Sequence, residues 1–319
     1  MKGLSRSFFE CIDVGSENCP CYLAETGDCM TCSRLAGLDY CDCKWQGVCI
    51  YNEFIWNHQK AKNPREEIAT KIVEKKILKG NIAVFILQSN KYLCQRFKYP
   101  GTFIFARNPN YKQIYDIPLS IMYVDSEKDQ IHIAVKIISA KTKALIESSD
   151  ELLIKGPYRN GIIGLKSLQN GDKGKMLVLC RNMGLAPAIK LADYYKNRKN
   201  IDVIVDNFRL EEDFSKDYFA KLNILPIIKN FKDEKDLKEI KAFKKEGNYD
   251  SVVIFTSSKY IAIFEELLED KKDYAVLNNS NMCCGEGICG SCSYVNDDGE
   301  VIKMCKCQMK AKDKKKGGL

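Results

Sequence analysis

The stretch Met282-Cys283-Cys284-Gly285-Glu286-Gly287-Ile288-Cys289-Gly290-Ser291-Cys292, followed by Cys305 and Cys307, restricts the fold more than any other part of the chain. A C-x4-C-x2-C run can wrap three thiolates around two irons only if the chain between them turns tightly. Gly285, Gly287 and Gly290 allow this, because glycine reaches positive φ and lets backbone N–H groups approach sulfur. Cys284, Cys289 and Cys292 meet the plant-type ferredoxin spacing, which needs one more distant Cys. Cys305 ends a strand-like run at 300–304 that returns the chain to the site, whereas Cys307 sits in a Lys-rich tail, so Cys305 is the preferred fourth ligand. A structural zinc ribbon is the alternative, although such ribbons favour two C-x2-C knuckles and only one is present.

The remaining cysteines follow the same division. Of 16, eight precede residue 50 and six follow residue 282; Cys94 and Cys180 stand alone in apolar, strand-like runs and read as buried, inert thiols. No export signal stands in residues 1–9 and no run approaches the ~18 apolar residues of a membrane helix, so the expected location is the cytoplasm. Disulfides are disfavoured there, and ligation is the stronger reading for both groups. Residues 1–60 carry Cys11, Cys19, Cys21, Cys29, Cys32, Cys41, Cys43 and Cys49 and little else from which to build a core, so ligation is expected to hold this module together. At least one [4Fe–4S] cluster ranks first and a pair of zinc ions is the alternative, with no assignment of cysteines to sites.

The 319 residues, 45% apolar and 29% charged, suit a soluble globular protein of more than one domain. Of the net charge of +8, about +6 comes from Lys303, Lys306, Lys310, Lys312, Lys314, Lys315 and Lys316 less Asp313. That end reads as a solvated, disordered tail, with nucleic-acid binding not favoured. Asn63-Pro64-Arg65 reads as a linker. After it, β-branched and aromatic runs at 70–77, 82–88, 103–107, 119–124 and 131–138 alternate with turn signals, and 152–155 adds a last strand; this predicts a small antiparallel barrel, with a short helix at 141–148. From Lys175 the grammar changes. Strands at 176–180, 201–205, 224–228, 252–256 and 274–277 alternate with helical segments such as 187–196 and 260–271, which predicts a doubly wound parallel α/β domain. Ligands of such sheets lie at the carboxyl ends of the strands, which singles out the turn at 181–187.

A barrel, an α/β domain and then a C-G-x-G-x-C-x-x-C motif resembles the ferredoxin reductase superfamily, in particular its dihydroorotate dehydrogenase electron-transfer subunits and the small subunits of NADH-dependent ferredoxin:NADP oxidoreductases. The resemblance spans residues 65–307 and leaves out the Cys-rich start. It implies FAD on the barrel (65–165), NAD(P)H on the α/β domain (172–278) and a [2Fe–2S] cluster in 279–308, and the basic tail from 309 to 319 follows them. The family's R-P-x-S-I segment falls on Ile117, Pro118, Leu119, Ser120 and Ile121, with no Arg at its first position. Its G-x-G-T element falls on Ser139, Ala140, Lys141 and Thr142, where a helix N-terminus would hold phosphate and Lys136 and Lys141 would replace the missing charge. Gly156-Pro157-Tyr158-Arg159-Asn160-Gly161-Ile162 matches its G-P-L-G-N-G-F element.

The nicotinamide half departs from the family pattern. Of the glycine-rich phosphate turn only Gly184 and Pro187 remain, with Ala186 between them, and the C-G-P beside the nicotinamide is replaced by Thr256-Ser257-Ser258. Either NAD(P)H binds in a modified way, with Arg181 and Lys259 as anion partners, or the domain has kept its fold and lost the dinucleotide. No acid–base constellation stands out; His58 and His132 are the only histidines and read as structural, with His58 a weaker ligand candidate. The expected function is an FAD and iron–sulfur electron-transfer subunit. It would pass electrons between NAD(P)H or a low-potential, ferredoxin-like carrier and a larger catalytic flavoenzyme. The alternatives are a nicotinamide-independent redox adaptor between two proteins and a stand-alone iron–sulfur flavoprotein whose N-terminal module is a zinc docking piece.

Overall fold

In a computed structural model, residues 10–112, 116–169, 174–208, 210–268, 274–296 and 299–314 are described. The readings of residues 1–9 and of Lys315 and Lys316 lie outside them. Along the chain, β1 (Glu10–Cys11) precedes β2 (Glu67–Leu78), β3 (Ile82–Gln88), β4 (Phe103–Arg107), β5 (Ile117–Asp125), β6 (Gln130–Lys136) and β7 (Glu151–Tyr158). Then come β8 (Ile162–Ile163), β9 (Lys175–Arg181), β10 (Asn200–Asp206), β11 (Ile227–Ile228), β12 (Ser251–Phe255) and β13 (Ala275–Leu277). The last strands are β14 (Ser293–Val295), β15 (Val301–Lys303) and β16 (Cys307–Gln308). The chain divides into two compact units: one holds Glu67–Asn279 with Lys310–Lys312, the other Met1–Glu66 with Ser280–Met309 and Asp313–Leu319.

The larger unit contains a closed antiparallel barrel in the order β2-β3-β6-β5-β4-β7. Its strands β3, β4 and β6 lack a clean polar alternation because both of their faces are covered, whereas β2 is largely exposed. On β3, Ala83, Phe85 and Leu87 point into the barrel with Ile104, Ile121, Ile133, Leu152 and Ile154. Ile82 and Val84 point the other way and share a second core with Met176, Val178, Leu185 and Ile189 of the α/β half. That half is one sheet, β11-β10-β9-β12-β13-β8, parallel throughout except for the antiparallel edge strand β8. β10 lies on one side of β9 and β12 on the other, so the strand order reverses at the carboxyl end of β9, where open α/β sheets place their ligands. Cys94 corrects the sequence reading: it lies in the helix Lys91–Phe97, capped by Asn90, and packs into the barrel core.

The smaller unit joins the two Cys-rich segments. β1 pairs antiparallel with β16, Cys11 opposite Cys307, and Ile12 N donates to Lys306 O. The N-terminal part has a core of only Cys19, Ala24, Cys32, Leu35, Ile50 and Phe54, with Val14, Cys29, Trp45 and Tyr51 against it. The expected linker is a packed strap instead: Asn18 Nδ2 donates to Asn63 O, Asn63 Nδ2 donates to Glu17 O, and Arg65 is buried. The expected solvated tail is corrected in the same way. Lys306 has no exposed surface, Met309 and Ala311 are buried, and Ala311–Asp313 forms a 3-10 turn. Among the described residues no helix is long and apolar enough to cross a membrane.

Candidate redox sites

The antiparallel register brings the start of β5 and the end of β6 to one end of the barrel, so Pro118, Leu119 and Ser120 share that end with Lys136 and with the helix Ala140–Glu147. Ser139, Ala140 and Lys141 are exposed at the helix start, as a phosphate-binding turn requires. Thr142 does something else. Its hydroxyl accepts from Ile138 N at 3.0 Å and Ser139 N at 2.9 Å, while Ser139 Oγ accepts from Thr142 N, a reciprocal capping box. Phosphate at this end would therefore rest on backbone N–H groups with Lys136 and Lys141, and not on that hydroxyl. Gly156 lies near the end of β7, and Asn160 lies between β7 and β8. Asn160 is fully buried and its carbonyl accepts from Asn278 Nδ2, so the segment ties the barrel to the sheet edge.

At the carboxyl end of β9, Asn182–Gly184 makes a 3-10 turn into the helix Leu185–Tyr195, which contains Ala186 and Pro187. A Cβ on Gly184 would stand 1.9 Å from Phe255 O, so only glycine lets this turn lie against β12. Arg181 is not the open anion partner expected of it. Its Nε donates to Asp206 Oδ2 at 2.6 Å, the pair is buried, and the guanidinium stacks 4.5 Å from the Tyr260 ring. Asp206 also accepts from Phe208 N and Phe231 N. Asn182, left-handed at φ 51°, keeps a buried Oδ1 with no hydrogen-bond partner. Lys259 is exposed near the start of the helix Ser258–Leu268, and Thr256 is buried with its carbonyl accepting from Asn279 Nδ2.

His132 is structural. It packs from β6 against Tyr123 and Tyr218, with Nδ1 2.7 Å from Tyr218 Oη, and burial pulls its pKa down to about 4. His58 follows the helix Ile50–Trp56 in a left-handed turn.

In the smaller unit, four of the predicted thiols converge. The Cys305 side chain lies against those of Cys284 and Cys292, and the Cys284 side chain also against that of Cys289. Backbone N–H groups close on the same sulfurs: Glu286 N to Cys284 Sγ at 3.3 Å and Cys305 N to Cys292 Sγ at 3.3 Å, with Ser291 serving Cys289. The Cys305 thiol and these amides hold the Cys284 thiol down at about 4, and Cys305 draws Cys292 down to about 7. Cys283 stands aside, bonded to Ser291 Oγ. Cys307 is fully buried, and burial alone pushes its thiol up to about 12. Gly287, at φ 80°, presses on Leu23 so closely that a Cβ would lie 2.8 Å from it.

Between the two Cys-rich segments lies a feature that the sequence does not announce. Arg65 Nη2 reaches Asp13 Oδ1 at 2.9 Å and Nη1 reaches Glu286 Oε2 at 3.2 Å, while Lys306 Nζ reaches Asp13 Oδ2 at 2.7 Å and Glu286 Oε2 at 3.0 Å. No side chain of the four is more than 6% exposed. Burial raises the carboxyl pKa of Asp13, but Lys306 and Arg65 outweigh it and hold the group at about 2; Glu286 is lowered by the same balance. The two cations and two anions cancel, which is what makes their burial tolerable.

The other N-terminal thiols separate into two groups. Cys11, Cys19, Cys21 and Cys29 line one partly enclosed recess. Cys32 is buried beside it, Cys41 and Cys49 are exposed, and Cys43 hydrogen-bonds Cys41. Among the described residues, no three His, Cys, Asp or Glu side chains are arranged to hold a metal ion.

Comparison with known proteins agrees with this architecture. No protein-family profile matches the chain. It is 30% identical over 118 residues to the dihydroorotate dehydrogenase B (NAD+) electron transfer subunit of Clostridium acetobutylicum, a match covering 34% of this chain and 45% of that protein. The chain thus aligns with less than half the length of this curated relative. Among solved structures, the NADH-dependent reduced ferredoxin-NADP oxidoreductase studied for flavin-based electron bifurcation superposes with a TM-score of 0.58 at 17% identity, over 74% of this chain and 85% of that one. Phthalate dioxygenase reductase, described as a modular structure for electron transfer from pyridine nucleotides to [2Fe–2S], gives 0.51 at 12% identity over 76% and 95%. The chain resembles these proteins, and the barrel with its parallel α/β partner is the ferredoxin reductase fold.

Proposed function

We propose that this protein is an oxidoreductase component of the electron-transfer type, carrying FAD on the barrel and a [2Fe–2S] cluster on Cys284, Cys289, Cys292 and Cys305. The observation that carries the reading is the convergence of those four thiols, with N–H groups aimed at their sulfurs, on a chain with the ferredoxin reductase fold. The flavin would exchange electrons in pairs with a hydride donor and singly with a cluster. The chain's own part is to position both groups and tune their potentials. The bifurcating reductase and the dihydroorotate dehydrogenase subunit support a larger flavoenzyme as partner, with a ferredoxin-like carrier as the other candidate. The eight N-terminal cysteines add metal-held thiolates, iron–sulfur by preference and zinc as the alternative.

Replacing Cys305 and Cys307 by Ser one at a time tests the ligand set. Cys305→Ser should abolish the visible absorption and EPR signal of the C-terminal cluster while flavin is retained, and Cys307→Ser should leave that cluster in place. The opposite pattern would refute the assignment.

A second reading is favoured by one observation: Arg181 is committed to Asp206 at the switch point where a dinucleotide would lie. In this reading the α/β half is a retained scaffold and electrons enter from a protein. Anaerobic addition of NADH and then NADPH decides between them. Bleaching of the flavin bands within mixing time supports the nicotinamide-linked reading; bleaching by dithionite alone supports the scaffold.

A further inference from the structure

The recess in the N-terminal segment measures about 330 Å³ including its solvent-facing mouth, and four of its lining residues are Cys11, Cys19, Cys21 and Cys29. Cys32 N donates to Cys29 Sγ at 3.4 Å. Burial raises the thiol pKa of all four, and the backbone N–H groups of Asp13 at Cys11, Gly15 at Cys19, Leu23 at Cys21 and Thr31 and Cys32 at Cys29 oppose it. At Cys11, Cys21 and Cys29 a donor lies two residues further along the chain. Cys284 with Glu286 and Cys289 with Ser291 repeat that arrangement at the C-terminal site. N–H groups turned onto sulfur stabilise thiolate, the form that ligates, and tune the potential of an iron–sulfur cluster.

The donor set is soft and uniform. Asp13 also lines the recess, but both its oxygens are taken by Lys306 and Arg65. A single zinc needs four sulfurs about 2.3 Å from one point, and among the described residues no three such side chains stand in that way. Four thiols lining one recess suit a polynuclear centre, whose ligands are set further apart. The charge around the cavity fits as well. The buried ammonium of Lys306 acts electrostatically on Cys11 and Cys21, and it stands in sequence directly after Cys305.

We propose that Cys11, Cys19, Cys21 and Cys29 form a dedicated [4Fe–4S] site, separate from Cys32, Cys41, Cys43 and Cys49, and seated beside the C-terminal site across the Asp13–Lys306–Glu286–Arg65 network. The first half stands without the reading of the C-terminal cluster; the neighbour relation rests on it.

The test uses the full chain purified without oxygen, assayed for iron, acid-labile sulfide and zinc. Relative to wild type, Cys21→Ser should lose about four irons and about four sulfides. Cys41→Ser should retain them, and Cys289→Ser should lose only about two irons. Equal losses in Cys21→Ser and Cys41→Ser, or zinc in place of the missing iron, would overturn the assignment. Because Cys21→Ser endangers folding of the segment, wild-type protein grown on ⁵⁷Fe gives an independent answer. A [4Fe–4S] Mössbauer signature is expected, and a spectrum of [2Fe–2S] iron alone would overturn the site. The neighbour relation is read from EPR of the fully reduced protein, as spin–spin broadening of the C-terminal signal that disappears in Cys21→Ser. An unbroadened signal with both clusters present refutes adjacency and leaves the site itself standing; loss of the C-terminal cluster in wild type refutes the earlier reading alone.

Discussion

Replacing Lys306 by Met removes one charge from a site where solvent cannot compensate. The ammonium lies 2.7 Å from Asp13 and 3.0 Å from Glu286 with no exposed surface, so the variant leaves two buried carboxylates sharing Arg65. Removing one partner of a buried ion pair costs about 3–5 kcal/mol. Chemical denaturation can isolate the effect. The chain has only two tryptophans, Trp45 and Trp56, and both lie in the smaller unit, so fluorescence follows that unit alone. The midpoint should fall by the equivalent of about 3–5 kcal/mol at pH 7.5. Two controls give the prediction its sign. With Lys306 in place, Asp13 is held at about 2, below its unfolded value, so its contribution is full above pH 3.8 and fades only as pH falls towards 2. In the variant an uncompensated carboxylate takes up a proton more readily than in the unfolded chain, so the gap to wild type should narrow by about 1 kcal/mol or more on going to pH 5. The pair Asp13→Asn with Lys306→Met restores a balanced Arg65–Glu286 site and should recover at least half of the loss. A change below about 1 kcal/mol in Lys306→Met, or a double variant no better than the single one, would refute the claim that these four charges act as one unit.

His132 is held neutral by burial at a pKa of about 4, below its usual 6.5, so its contribution is full above pH 6.5 and is lost at about 1.4 kcal/mol per unit as pH falls from 6.5 to 4. His132→Gln should flatten that slope in far-UV circular dichroism melts; parallel slopes would contradict it. Thr142→Ala should cost about 1 kcal/mol through the lost cap and leave bound flavin unchanged, read by thermal melting and by flavin absorbance after gel filtration.

How much was legible in the sequence depends on whether the signal was local. β-branched and aromatic runs bounded by turn residues placed the barrel strands to within a few residues, because strand-forming side chains and chain reversal act locally. The spacing of Cys284, Cys289 and Cys292 and the strand before Cys305 led to an expected fold-back, and the chain does return so that Cys305 N reaches Cys292 Sγ. Arg65 and Lys306 were misread for a physical reason. A charge beside a proline or inside a Lys-rich stretch is nearly always solvated, and only carboxylates brought in from far along the chain, Glu286 at 221 positions from Arg65 and Asp13 at 293 positions from Lys306, make burial tolerable. Thr142 shows the reverse case: the resemblance offered a phosphate ligand, and the local capping chemistry took the hydroxyl first. Nor does any local pattern show that Arg181 is already paired, since Asp206 approaches it only across two neighbouring strands.

The pairing of β1 with β16 sets an order of events during synthesis. Residues 67–279 are inserted between the two segments that build the smaller unit, so the first of these is made roughly 200 residues before its partner. At translation rates of about 5–20 residues per second, Asp13 and Arg65 wait on the order of 10–40 s for Glu286 and Lys306, while the larger unit can fold in the interval. Throughout that delay the eight early thiols lack the segment that buries their neighbours. Iron delivered then would meet an unfinished site, whereas iron delivered afterwards would meet one in which the charges are already matched. On the iron–sulfur reading proposed above, growth under oxygen or with limiting iron should therefore damage this unit selectively, leaving the barrel and its sheet as an intact, cluster-free product.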